Sequence, residues 1–320
     1  MTALPKIDYA RHPYYGGMFA PDPDLGARAM GMLQPFIDEM VQVEQDRLTR
    51  FGYRYGYENE VGEALALRGV SLLQIPPNMI DRIGKAAHPV IEGMRERIRA
   101  ERAAARPIRF KTVNHVLSKE TDAELWRSVD DMLKEMELLD VARAFFGARS
   151  ARINSLAIFV NPANQEWANH IFRDVQAETP PTAGFHVDSN GKCYIKGILY
   201  LNDIGPEQGP FSIIPESHLW DEGTQARIWR RAFDRSPLLA RMAEERRMFI
   251  SLPEEMQVKA EFGGDMVPDS DEANLMLTRE FVSVGPRGLL SLFWPEAIHR
   301  GGNVRAGERH ALQITLTAQW

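Results

Sequence analysis

The chain contains one cysteine, Cys193, so no internal disulfide forms and a cross-linked scaffold is excluded. It has no apolar run near the ~20 residues that a membrane-spanning helix requires. It also lacks a basic surplus: 38 Lys and Arg stand against 44 Asp and Glu, a net charge of −6. That balance gives no support to a surface for phosphate backbones, so nucleic acid is not an expected partner. Internal repeats and low-complexity tracts are absent as well. Met1 to Lys6 lacks the charged-then-apolar pattern of a leader peptide. These absences predict a soluble, cytoplasmic protein in a reducing compartment, acting on a small molecule and not on a membrane.

What is present is a sizeable apolar fraction, 44% of 320 residues, enough for one large domain. Residues Thr2 to Pro23 are rich in Pro, Gly and Tyr and read as an arm wrapping the surface. Asp24 opens a helix to about Arg50, with Met30, Leu33, Phe36, Ile37, Met40 and Val41 on one stripe. A second helix starts at Asn78, carries Ile80, Ile83, Ala87, Val90, Ile91, Met94 and Ile98, and is expected to kink at Pro89. Thr121-Asp122-Ala123-Glu124 reads as a capping box for a third. Leu138 to Phe146 is helical and stops at Gly147. Strand patterns follow at 193–201, 211–214, 288–294 and 309–316. Helices first and strands later argue for an α+β fold with a jelly-roll core: residues 1–150 form an arm and helical layer, and 151–320 the core.

Between two of those strands lies a long insertion, about 219–281. Thr224 to Met248 reads as helical and arginine-rich: Arg227, Arg230, Arg231, Arg235, Arg241, Arg246 and Arg247. Two readings stand, a solvent-facing basic helix, which is favoured, and a lid that recruits an anionic substrate. Gly263-Gly264-Asp265 reads as a flexible lid tip.

The chemistry concentrates in Gly184-Phe185-His186-Val187-Asp188, with His299 and Arg309 near the C-terminus. Of the eight histidines only His186 has an acid two residues later. Strand side chains alternate faces, so His186 and Asp188 grip one ion while Val187 turns to the core. Two imidazoles and one carboxylate fill three positions of an octahedron and leave three open, the ligand set of non-haem Fe(II) oxygenases. Arg309 opens the last strand as an always-charged fork suited to a dicarboxylate.

The order His-x-Asp, then Gly209-Pro210 leading through Ile214-Pro215-Glu216-Ser217-His218, then His299-Arg300-Gly301-Gly302-Asn303, then Arg309 resembles the phytanoyl-CoA dioxygenase family. The likeness is densest from Arg152 to Gln319, with a weaker echo at Leu67 to Leu73. It implies a double-stranded β-helix flanked by N-terminal helices, and an oxygenase using Fe(II), 2-oxoglutarate and O2. It implies iron ligands at His186, Asp188 and His299, and a 2-oxoglutarate anchor at Arg309 helped by Lys196 or Tyr194. The implied reaction oxidises a C–H bond of a small molecule and releases succinate and CO2. Three positions depart from the family pattern: Lys196 replaces a usual Ser or Thr, Leu289 a usual Asp, and Glu216 a usual Gly. Trp167, Phe185, Asn190, Trp294 and Gln313 are expected to line the substrate pocket. The competing readings are another metal in the same barrel, such as a cupin-like dioxygenase or Zn hydrolase, and a non-catalytic small-molecule-binding protein.

Overall fold

The computed structural model describes residues 3–51, 59–106, 108, 110–163, 172–175, 180–188, 194–220, 222–238, 240–259 and 261–319, with the side chains of 46–51 outside that description. Trp167, Asn190 and Cys193 fall outside it. Among the described residues no helix is long and apolar enough to cross a membrane.

Helices dominate the first half. They are α1 (Pro23–Phe51), α2 (Glu60–Arg68), α3 (Pro77–Ala103), α4 (Phe110–Val113), α5 (Ala123–Glu135) and α6 (Leu138–Phe145). Pro77 sits at the start of α3, where a proline's missing N–H costs nothing. The apolar stripe of α3 drives its packing: Ile80, Ile83, Ala87, Ile91, Met94 and Ile98 are all buried. The expected cap of α5 takes another form. The helix starts at Ala123, and Asp122 turns back to accept from the Ser118 N–H at 2.9 Å and the Thr121 hydroxyl at 3.0 Å. Its carboxylate closes the preceding turn and does not cap the helix.

Strands β1 (Val70–Gln74), β2 (Asn114–Val116), β3 (Ser150–Pro162), β4 (Tyr194–Tyr200), β5 (Phe211–Ile213), β6 (Phe281–Val282), β7 (Leu289–Phe293), β8 (His299–Gly301) and β9 (Glu308–Gln319) form two sheets. The larger has the order β1-β7-β4-β9-β3-β2, and the smaller β6-β5-β8. Isolated pairings of His186 with His299 and with Glu261 extend the smaller sheet beyond β8. This is the two-sheet arrangement of a double-stranded β-helix.

Alternation assigns the faces of the larger sheet. Leu156, Ile158, Val160, Ile195, Leu199, Leu290, Leu292, Leu312, Ile314 and Leu316 share one core with the buried stripes of α3, α5 and α6. Each large side chain buried there contributes about 1.5–3 kcal/mol. The opposite face is left for chemistry. The register pairs Lys196 with Thr315, Ile198 with Gln313, Ala157 with Gln313 and Asn161 with Arg309 on that inner side.

The insertion contains α7 (Thr224–Arg235), α8 (Ala243–Ile250) and α9 (Asp271–Arg279). Arg235 and Arg247 are exposed, as a solvated face requires, but Arg230, Arg231 and Arg246 are buried. Arg246, with no exposed surface, pairs with Asp174 at 2.8 Å. Arg231 and Arg230, also buried, pair with Glu296 and Glu222, and Arg227 reaches Glu44 of α1 at 3.0 Å. Arg227, Arg231 and Arg246 lace the insertion to the rest of the chain and Arg230 pairs within it, so neither a solvated face nor a recruiting lid describes these four. The Gly263-Gly264-Asp265 segment is likewise an anchor. A Cβ at Gly263 would collide with the Thr182 carbonyl, and Asp265 is buried. The N-terminal arm plugs into the same region: Tyr15 donates to Asp265 at 2.9 Å, and Lys259 pairs with Asp265 at 2.6 Å. Tyr9, His12 and Tyr15 are buried, so this arm is part of a core and not a surface wrap.

Candidate metal centre

His186 and His299 exchange both backbone hydrogen bonds, at 2.9 and 2.8 Å, which sets their side chains on one face of the smaller sheet. The ring centroids are 4.4 Å apart. Each imidazole is tied by Nδ1 to a carbonyl two residues earlier, His186 to Gly184 and His299 to Ala297, both at 2.8 Å. A carbonyl only accepts, so Nδ1 carries the proton in each ring and Nε2 keeps its lone pair. Asp188 is held by its own N–H, which donates to the Pro295 carbonyl at 3.1 Å. One ligand atom from each of the three residues lies within 4.8 Å of the others.

The electrostatics suit a cation. Burial and the neighbouring His186 push the His299 pKa down to about 3, so this ring is neutral and able to ligate. Burial opposes the charge on Asp188, but His299, Lys196 and His186 outweigh it and hold the carboxyl below its usual range. Asp188 Oδ2 is buried without a hydrogen-bond partner. The Lys196 ammonium lies 2.8 Å away, an ion-pair distance without hydrogen-bond angles. Two imidazoles presenting Nε2 and a carboxylate with no hydrogen-bond partner on Oδ2 are a donor set that fits a divalent metal.

Arg309 stands at the start of β9 on the inner face, with its guanidinium against Gly301 of the histidine strand β8. It donates to Asn161 Oδ1 at 3.0 Å and to the carbonyls of Gly209 and Gly302. Among the described residues no carboxylate lies within ion-pair distance of it. Burial lowers its pKa, with Tyr200 opposing. Lys196 and Tyr194 are on β4 in phase with each other, so both project to the inner face. Gln313 shares that face, half-buried between Ala157 and Ile198.

Two expected pocket residues lie elsewhere. Phe185 is fully buried on the outer side of the metal strand with Val187, Phe262 and Met276, under the Arg300 guanidinium at 4.0 Å. The alternation that points His186 inward necessarily points Phe185 outward. Trp294 falls out of phase with Ser291 and Phe293 and packs into the helical layer against Phe145, 5.6 Å between centroids. Arg300 grips Glu280 at 2.7 Å and the carbonyls of Pro181 and Ala183, fixing the approach to His186.

Residues not singled out from the sequence also border the site. Asn161 orients Arg309. Thr315 is the cross-strand neighbour of Lys196. Glu261 pairs with His186 on the side opposite His299, with Arg241 on its carboxylate at 3.0 Å. The period-two pattern Ser155, Ala157, Phe159, Asn161 was the available signal for β3. No motif flags Glu261, which lies inside the insertion. A crevice of about 510 Å³ between α3 and α5 contains none of these residues.

A double-stranded β-helix carrying a His-Asp-His set on its smaller sheet defines a class of metal-dependent oxygenase folds. Residues 65–311 match the family Phytanoyl-CoA dioxygenase (PhyH), so the chain belongs to that family of 2-oxoglutarate-dependent oxygenases. Solved structures similar to it include the apo form of EctD from S. alaskensis, 16% identical, covering 83% of this chain and 80% of that one, TM-score 0.47. The alpha-ketoglutarate-dependent carbocyclase SnoK from nogalamycin biosynthesis is 14% identical, covering 82% and 84%, TM-score 0.45. AviO1 from Streptomyces viridochromogenes Tue57 is 14% identical, covering 81% and 96%, TM-score 0.42. Among curated proteins nothing matches this sequence.

Proposed function

We propose that this protein is an Fe(II)- and 2-oxoglutarate-dependent oxygenase that oxidises a C–H bond of a small molecule, releasing succinate and CO2. The observation that carries the reading is the inward-facing set of two Nδ1-protonated imidazoles and Asp188, with a carboxylate-free Arg309 beside it. His186, Asp188 and His299 would hold the iron. Bound there, iron with O2 and 2-oxoglutarate supplies the oxidising power.

The chain's own part is positioning. Arg309, braced by Asn161 and two carbonyls, offers a fixed cation to the far carboxylate of 2-oxoglutarate. Tyr194 and Lys196, the expected helpers of Arg309, lie farther along the inner face: they pair with Thr317 and Thr315, eight and six residues beyond Arg309 on β9. Ile198, Ala157 and Phe159 supply apolar wall that excludes water, and Gln313 supplies a polar contact for the substrate. The carbonyls of Gly184 and Ala297 take the Nδ1 protons, which leaves both Nε2 atoms as the ligand atoms. Residues 1–320 are read as one oxygenase unit, because the helical layer and the larger sheet share one core.

Succinate formation tests this reading. Protein purified without oxygen is supplied with Fe(II), ascorbate, 2-oxoglutarate and O2, beside Asp188→Ala. Slow uncoupled succinate release that vanishes in the variant is the expected result. Equal release from both proteins overturns the assignment.

A further inference from the structure

Lys196 takes a place that needs explaining. It lies on β4 between Phe293 of β7 and Thr315 of β9, facing inward. Its ammonium is 2.8 Å from Asp188 Oδ2, and both side chains are largely shielded, 14% and 19% exposed. Among the described residues it has no other ion-pair or hydrogen-bond partner. Asp188 is in turn 3.6 Å from His299 Nε2. A fixed positive charge therefore sits against the one anionic group of the candidate ligand set.

The charge count has consequences. A metal takes imidazole in its neutral form, so as ligands His186, Asp188 and His299 carry one negative charge, and Lys196 cancels it. A divalent ion entering that site brings the total to two positive charges, and Arg309 lies on the same inner face. Like charges at this range repel, more strongly where water is excluded. The ion alone is held weakly, and an entering dianion relieves the repulsion. Coupling of this kind is reciprocal: whatever factor the dianion adds to metal affinity, the metal adds to dianion affinity.

We infer that Lys196 is a positioning residue that makes metal retention depend on the dicarboxylate cosubstrate: it neutralises Asp188, loosens the metal-only state, and tightens the state holding both metal and dianion. The inference rests on the oxygenase reading above and adds a role that a serine or threonine at this position cannot play. It also gives the ion pair a function beyond stability.

Mn(II) titration, reading the free ion by electron paramagnetic resonance, measures this without turnover. Metal affinity is determined with and without 2-oxoglutarate for wild type, Lys196→Gln and Lys196→Arg, with thermal melts verifying the fold. For wild type, 2-oxoglutarate is expected to tighten Mn(II) strongly. Lys196→Gln should bind Mn(II) alone about tenfold more tightly, as expected for removing one like charge at close range. It should also lose about tenfold of the coupling. Lys196→Arg, which keeps the charge, should restore both. Equal coupling in wild type and Lys196→Gln, or weaker Mn(II) binding by Lys196→Gln alone, overturns the role of the lysine. Mn(II) affinity in wild type that ignores 2-oxoglutarate would instead contradict the oxygenase reading itself.

Discussion

The roles of single side chains here follow from what holds each one. The Asn161 amide and two carbonyls brace Arg309, and its planar fork is the part that matches a carboxylate. Arg309→Lys should therefore raise the 2-oxoglutarate Kd at least tenfold, about 1.4 kcal/mol, while leaving Mn(II) affinity in its absence near wild type. Calorimetry with the Mn(II) protein reads both numbers. His12, far from this chemistry in sequence, carries a different prediction. It is buried, with Nδ1 accepting from the Tyr14 N–H at 3.2 Å, and burial lowers its pKa from 6.5 to about 4. The unfolded chain binds that proton first, so stability falls as pH drops from 6.5 towards 4 and the loss ends below the folded value. The contribution is up to about 3 kcal/mol. Denaturant titrations should show this slope shrinking in His12→Gln, and an unchanged slope would contradict it.

At the scale of elements, charge and apolar pattern exchange their usual roles. The arginine-rich α7 and α8 read in sequence as a solvated face, because charges normally stay wet. In the structure Glu44, Asp174 and Glu296 come from three separate places to meet Arg227, Arg246 and Arg231, and no local window shows those pairings. Arg246→Met should accordingly cost about 3 kcal/mol and lower Tm by several degrees, with no change in the KM for 2-oxoglutarate. A raised KM at unchanged Tm would return these residues to substrate recruitment. The turn before the short helical stretch Ser217–Leu219 offers the opposite case. Glu216 sits at φ 68°, where a side chain is strained, and its N–H donates to the Arg68 carbonyl through backbone alone. Glu216→Gly should stabilise the protein by about 0.5–1 kcal/mol in thermal melts.

Across the whole molecule, the helical stripes and the strands β4, β5, β7 and β9 were legible because period 3.6 and period 2 are written in consecutive residues. His186 and Asp188 were legible for the same reason, being two apart, although in the structure their segment makes only isolated bridges at His186 and no full strand. Face assignment was the weak link. Phe185 and Trp294 are near the ligands in sequence, yet strand alternation sends them to the opposite side of their sheets. The buried cluster of Tyr9, Tyr15, Lys259 and Asp265 joins segments some 250 positions apart, and composition alone made that arm look like surface. That cluster also braces the segment whose Glu261 pairs with His186.

The central claim is that one inner face holds both a divalent metal and 2-oxoglutarate. Its most direct test is the visible absorbance of the anaerobic Fe(II) protein on adding 2-oxoglutarate. A charge-transfer band that appears in wild type, weakens in Arg309→Lys and is absent in Asp188→Ala is the predicted result. A wild-type sample that binds Fe(II) but shows no band with 2-oxoglutarate would contradict the account.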